Sequence, residues 1–264
     1  MARLQPRCSQ SPTPQIAKHL LITGASGALG RALALYHAGP DTVLSLWGRN
    51  EARLANTAEA ARAAGAEASE RSLDLTDCDA AVAALVAEDS ETAFDVVYLV
   101  AGIGDVCPVG ALVEPPEQVA RVVQTNFTAP AAMATAIAER MAKRGRGRIV
   151  IIGSAAGHHA LPSAASYAAS KAGTMVLAES LHADLRGTGV QVQIANPGFI
   201  RTRLTAKNDF SMAQIMEPED AALRMFEFMS GSGFKTSFPS PFAALFRGGQ
   251  LLPDWAWYGM LPKR

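Results

Sequence analysis

The strongest constraint on this chain is an alternation of two kinds of segment. Short runs rich in β-branched and apolar residues recur, and helix-length stretches separate them. HLLITG (19–24) precedes an alanine-rich stretch from about Ala28 to Ala38, and TVLSLWG (42–48) precedes an Ala/Glu/Arg-rich stretch over 50–64 that stops at Gly65. A run near 66–73 leads into DLTD and a helical stretch over 77–89. FDVVYLVAG (94–102), RIVIIGS (148–154) and VQVQIANPG (190–198) follow, with helical segments near 116–143 and 163–186. Strands that read as near-continuous apolar runs are covered on both faces, and helical crossovers between parallel strands are right-handed. The pattern predicts an α/β fold: a doubly wound, mostly parallel sheet with helices on both faces.

The rhythm continues without a linker to about residue 230, so the expected organisation is a flexible tail over 1–17, one domain over 18–230 and a distinct segment over 231–264. The first residues, MARLQPRCSQSPTPQIAK, are polar and lack the apolar run of a secretion signal. The last segment mixes Phe, Leu and Trp with Arg247, Lys263 and Arg264. It suits packing on the domain, on a second subunit or on a membrane surface. No stretch reaches the roughly 20 apolar residues needed to span a bilayer. With 24 basic and 24 acidic side chains the formal charge is zero, which leaves no whole-protein field to draw nucleic acid. Cys8, Cys78 and Cys107 are far apart and form no C-x-x-C. The expectation is a cytoplasmic protein with neither a metal cage nor a disulfide framework.

The first run ends in Thr23-Gly24-Ala25-Ser26-Gly27-Ala28-Leu29-Gly30 and passes directly into a helical stretch. Glycines suit a backbone that turns tightly and approaches a pyrophosphate with no Cβ in the way. The helix amino terminus adds free N–H groups and the positive end of a dipole. After a strand, before a helix and first in an α/β series, this segment predicts a dinucleotide site and the Rossmann form of the fold. The end of the second run selects the nucleotide. An NAD site wants an acid about 20 residues beyond the glycines, to accept from ribose hydroxyls. Here the chain reads Trp47-Gly48-Arg49-Asn50, where Gly48 leaves space and Arg49 offers a guanidinium fork for a 2′-phosphate. Glu51 reads as a first-turn helical residue capped by Asn50. The expected cofactor is NADP(H) rather than NAD(H).

Ser154-Ala-Ala-Gly157, then Tyr167-Ala-Ala-Ser-Lys171, supplies the chemistry. Tyr167 and Lys171 are four apart and share one helix face. A phenol titrates near pH 10, and a neighbouring ammonium lowers that value toward the working range of an acid/base catalyst. A serine hydroxyl at the end of a strand can steady the same substrate oxygen as charge develops on it.

These motifs together resemble the short-chain dehydrogenase/reductase family, in its short single-domain branch, over about residues 18–230. The resemblance rests on TGASGALG, DLTD (74–77), AGIG (101–104), TNF (125–127), IIGSAAG (151–157), YAASK (167–171) and NPGFIRT (196–202), in this order. It implies a tetrad of Asn126, Ser154, Tyr167 and Lys171, in which Asn126 kinks its helix and holds a water that links Lys171 to solvent. It further implies that Asp74 and Leu75 lie at the adenine and that Ala101 and Gly102 pass close to the cofactor. Pro197, Gly198, Ile200 and Thr202 would lie along the nicotinamide, and Lys171 would bind its ribose. A homodimer or homotetramer is implied, paired through helices near 116–143 and 163–186. The glycines depart from the branch's usual G-x-x-x-G-x-G, since Ala28 stands at the middle glycine's place. The spacing found, G-x-x-G-x-x-G, is commoner in the branch that holds epimerases and dehydratases.

The expected function is NADP(H)-dependent interconversion of a carbonyl and an alcohol. The alternatives are an epimerase or dehydratase without net redox change, and a non-catalytic NADP-binding regulator. Residues 199–217 read as a mobile flap whose Phe210, Met212, Ile215 and Met216 suggest an apolar substrate wall or, equally, a closure of the core. His158 and Cys107 are further candidates for the substrate side of the site.

Overall fold

The computed structural model describes residues 19–105, 107–108, 110–159, 163–207, 212, 214–240, 248–249, 252–253, 255–256 and 259. The N-terminal tail over 1–17, Phe210, Arg247, Lys263 and Arg264 lie outside these residues. Seven strands form one sheet: β1 (His19–Thr23), β2 (Val43–Gly48), β3 (Glu67–Ser72), β4 (Val96–Leu99), β5 (Gly147–Ile152), β6 (Val190–Pro197) and β7 (Lys235–Phe238). Their order is β3-β2-β1-β4-β5-β6-β7, and every neighbouring pair is parallel. The order reverses between β1 and β4, which opens a crevice beyond their carboxyl ends.

The helices are α1 (Ala28–His37), α2 (Glu51–Ala63), α3 (Cys78–Glu91), α4 (Pro116–Val123), α5 (Ala129–Lys143), α6 (Ala165–Asp184) and α7 (Pro218–Ser230). Each central strand feeds two cores. Leu20, Ile22, Leu44, Leu46, Val96 and Val150 face one, with Leu33, Leu54 and Met225 from α1, α2 and α7. Leu21, Val97, Leu99, Ile149, Ile151 and Ile194 face the other, with Leu85, Met133, Ile137 and Met175 from α3, α5 and α6. Period-two alternation is present but hidden, because both faces are apolar.

Two strands depart from the apolar rule. β3 reads EASERS and is largely exposed, as suits an edge strand whose charges oppose pairing with another chain. β7 extends the sheet past residue 230, where the sequence suggested that a separate segment begins. Buried Gln193 of β6 organises this return. Its Nε2 donates to the carbonyls of Phe228, Gly231 and Gly233 at 3.2, 3.3 and 2.9 Å, so β6 itself fixes the path from α7 into β7. Among the described residues no helix is long and apolar enough to cross a membrane.

The amino ends of the strands are fastened by Asp89, whose side chain is 0% exposed. It accepts from Arg140 Nε at 2.6 Å, from both terminal nitrogens of Arg144 at 2.9 Å and from the Phe94 N–H at 3.0 Å. Burial alone would raise this carboxyl's pKa. The bonds from Arg144, Phe94 and Arg140 outweigh it and hold the value below the usual range.

On the opposite face the His37 Nε2 bonds the Tyr98 hydroxyl at 2.9 Å, and the ring meets Phe226 edge-on at 4.9 Å between centroids. Burial lowers the His37 pKa from 6.5 to about 4 and pushes the Tyr98 phenol up. Between those two His37 values the unfolded chain binds a proton that the folded chain refuses. Stability is therefore intact above pH 6.5 and falls as the pH drops toward about 4. The loss attributable to this ring is up to about 3 kcal/mol. Urea unfolding from pH 7 to 4 should show that slope, and His37→Gln should flatten it.

Candidate functional site

The glycine turn is shaped by contacts that admit no side chain. Gly24 has φ +73°, and a Cβ there would lie 2.8 Å from Ala101 Cα. A Cβ on Gly30 would meet the Gly24 carbonyl oxygen at 2.4 Å, and one on Gly48 would meet Ser26 Oγ at 2.6 Å. Glycine at these places lets β1, the first turn of α1 and the end of β2 close on one another. α1 starts without a side-chain cap, so its first N–H groups are free to meet an anion. Ala28 is exposed at this helix start.

A basic rim stands beside the turn. Arg49 pairs with Asp74 at 3.5 Å, both about half-exposed. Arg53, one turn along α2, donates from Nε to the Ser26 carbonyl at 3.1 Å, and Arg203 donates to the same oxygen at 3.4 Å. Loss of solvent, and then the positive charge of Arg203, lower the pKa of Arg53. Arg53 and Arg203, two guanidinium groups drawn to one carbonyl beside Arg49, form a place for a polyanion. Arg53 escaped the sequence reading although its position four residues after Arg49 was a usable signal. Arg203 is 177 residues from Ser26, and nothing local announces it.

Together these elements open a cleft of about 690 Å³ beyond the carboxyl ends of the strands. Of the residues expected at a cofactor, Gly24, Ser26, Gly27, Ala28, Leu29, Gly30, Arg49, Leu75, Ala101, Gly102, Pro197, Gly198, Ile200 and Thr202 line it. Asp74 is held outside the lining, where it pairs with Arg49 and accepts from the Thr76 N–H at 3.0 Å. The tight glycine cradle and the arginine rim fit a phosphorylated dinucleotide.

Ser154, Tyr167 and Lys171 line the same cleft. Ser154 stands after β5, opening a short 3₁₀ turn (Ala155–Gly157), and its Oγ accepts from the Ala156 N–H at 3.1 Å. Burial raises the Tyr167 pKa, and a hydrogen bond with Ser154 acts the opposite way. Lys171 is 5% exposed, and its Nζ donates to the Ile152 carbonyl at 2.8 Å and lies 6.0 Å from the centre of the Tyr167 ring. Burial brings this ammonium from 10.5 down to about 8. Asn126 lies behind the lining, on a π-helical turn (Gln124–Thr128) between α4 and α5. Its side chain bonds both backbone groups of Ile103, donating to the carbonyl at 2.7 Å and accepting from the N–H at 2.8 Å. It thereby fixes the backbone beside Gly102, where an added Cβ would lie 3.7 Å from Lys171 Nζ.

The roof comes from the segment after β6. An isolated parallel bridge joins Ile200 to Met216, and bonds of 2.8 and 2.9 Å reinforce it between Arg201 N–H and Met216 O and between Met216 N–H and Phe199 O. The segment is thus pinned at its base, and Met216 packs on the core rather than forming a substrate wall. Leu204 lies over Gly104, and Asp105 joins Arg121 of α4 and Lys207 of the roof, each at 2.8 Å. Met212 and Ile215 are absent from the lining, as are His158 and Cys107, both of which are buried. Among the described residues no cluster of metal-binding side chains converges.

Residues 18–212 match the short chain dehydrogenase family. An uncharacterized oxidoreductase of Myxococcus xanthus is 38% identical over 235 residues, covering 89% of this chain and 92% of that protein. The structure of a short-chain dehydrogenase from Sphingobium yanoikuyae in complex with NADPH superposes with a TM-score of 0.78 at 26% identity, covering 92% of this chain and 94% of that one. A xylitol dehydrogenase bound to NAD+ has a TM-score of 0.73 at 25% identity, covering 84% and 97%. The chain belongs to the short chain dehydrogenase family and is an oxidoreductase of CH–OH groups that works with a nicotinamide cofactor.

Proposed function

We propose that the protein interconverts a carbonyl and its alcohol, with NADP(H) as its cofactor and Tyr167 as the acid and base. The observation that carries this reading is the meeting of Tyr167, Ser154 and a buried Lys171 in the cleft that begins at the glycine turn. When bound, the nicotinamide supplies or accepts the hydride. The Tyr167 hydroxyl gives its proton to the carbonyl oxygen in reduction and takes one from the alcohol in oxidation. Ser154 holds that oxygen, and its hydroxyl bond strengthens as negative charge grows there. The Lys171 ammonium favours the phenolate against the burial that opposes it. Asn126 keeps the backbone at Gly102 and Ile103 in place beside Lys171.

The preference for NADP(H) rests on Arg49, Arg53 and Arg203 around Ser26 and Gly48, and on the absence of an acid at the end of β2. Charge-assisted bonds of this kind contribute about 1.5–3 kcal/mol each, so Arg49→Ala should weaken NADPH binding by roughly 10- to 100-fold. Nucleotide fluorescence titration should show NADH affinity little changed. The decisive test follows absorbance of NADPH and NADH against a panel of aldehydes, ketones and apolar alcohols. Net consumption of NADPH with a carbonyl is the expected result. No net consumption with any member, while NADPH still binds, would point to an epimerase or a regulator. In the same reading the protein is an oligomer paired through α4, α5 and α6. The exposed Val119 and Val176 on α4 and α6 support this, and light scattering of the full chain tests it.

A further inference from the structure

A buried carboxylate beside the catalytic helix has no part in the chemistry above. Glu114 precedes α4 and is 9% exposed, although the adjacent Leu112 and Val113 are 91% and 76% exposed. Two apolar residues face water while an acid is turned inward, which reverses ordinary partitioning and incurs a desolvation cost. Among the described residues the carboxylate is met by uncharged donors rather than by a cation. One oxygen accepts from the Ser166 hydroxyl at 2.6 Å and from Gln118 Nε2 at 3.0 Å, and the other accepts from the Ser166 N–H at 2.7 Å.

Ser166 is the residue before Tyr167, in the first turn of α6. That helix has no cap of its own: Ala164 stands at the N-cap, and its first turn carries no acid. Glu114 therefore supplies from another segment what α6 lacks, an acceptor for a first-turn N–H and a negative charge at the positive end of the dipole. Through Gln118 the same carboxylate is bonded to α4, which continues into the turn that holds Asn126. One side chain ties the start of the helix bearing Tyr167 and Lys171 to the helix that leads to Asn126.

We infer that Glu114 is a positioning residue for Tyr167, fixing the first turn of α6 so that the phenol meets Ser154 and the substrate oxygen. The inference rests on the proposed role of Tyr167. A displacement of about 1 Å at a reacting group costs on the order of 100-fold in rate. Glu114→Gln keeps the size and removes an acceptor and the charge. Ser166→Ala keeps the main-chain N–H bond and removes only the hydroxyl.

The test measures kcat, KM and NADPH affinity of the full-length variants below their melting temperatures, with circular dichroism as the check on folding. Glu114→Gln should lose roughly 10- to 100-fold in kcat, with KM and NADPH affinity little changed. Ser166→Ala should lose less, and the double variant should be no slower than Glu114→Gln alone. Wild-type kcat in folded Glu114→Gln, or a loss confined to KM or to melting temperature, overturns the inference. Should that variant fail to fold, Ser166→Ala decides, and wild-type kcat there overturns it as well. Tyr167→Phe is assayed alongside. If it is inactive while the Glu114 variants are not, only the positioning role falls. If it is active, the reading of Tyr167 itself falls.

Discussion

Tyr167→Phe should lower kcat by roughly 10²- to 10⁴-fold, the range that a positioned proton donor contributes, while NADPH still binds. The substitution removes one oxygen and keeps the ring, so the packing around it is retained. Lys171 keeps its bond to the Ile152 carbonyl and Ser154 keeps the Ala156 N–H. What disappears is the group proposed to exchange a proton with the substrate oxygen. Ser154 is left to stabilise the developing charge, a role distinct from exchanging the proton. Stopped-flow measurement of hydride transfer should show the loss in the chemical step, and fluorescence titration should show nucleotide affinity nearly intact. A variant with wild-type turnover would end the mechanism.

Asp89→Ala should cost about 3–5 kcal/mol of stability, the usual penalty for removing one partner of a buried ionic network. The deletion strands Arg140, Arg144 and the Phe94 N–H around an empty space. Arg140 and Arg144 keep 30% and 22% of their side chains in water, so both can recover some hydration and the lower half of that range is expected. For a chain of this size the melting temperature should fall by roughly 10 °C in calorimetry. Below the transition, turnover should stay at the wild-type rate, because Asp89 lies at the amino ends of the strands and the cleft at their carboxyl ends. Asp89→Asn, which can still accept from Phe94, should lose less.

Elements with strong periodic cores were legible in the sequence. β1, β2, β4, β5 and β6 are apolar runs, and each appears within a few residues of where the pattern set it. β3 also falls where the run near 66–73 set it, although as an edge strand it is largely polar, whereas β7 was not legible, because KTSF has no signature of its own. The path into β7 depends on Gln193, a polar residue inside a strand, whose three carbonyl partners become visible only in three dimensions. The site divides in the same way. Side chains carried on one helix or one turn, such as Tyr167 with Lys171 or Ser26 with Gly27, announce themselves by spacing. Arg203 and Glu114 act through contacts 177 and 52 residues away in the chain, and no local pattern encodes such a meeting. Met216 left two readings open, because an apolar residue in a loop reads the same whether it faces a ligand or the core, and it packs on the core.

The clasp at Asp105 bears on how such a protein could change over generations. One carboxylate holds Lys207 of the roof and Arg121 of α4 together, and both lie at the mouth of the cleft, remote from Asp89. Replacements at the mouth can therefore alter which molecules enter without disturbing the fastening that keeps the sheet folded. A randomised library confined to the roof should yield folded proteins at high frequency, and the variants that keep Asp105, Arg121 and Lys207 should be those that still seat a substrate in a fixed pose. The mouth is the part of this molecule most open to acquiring a new diet.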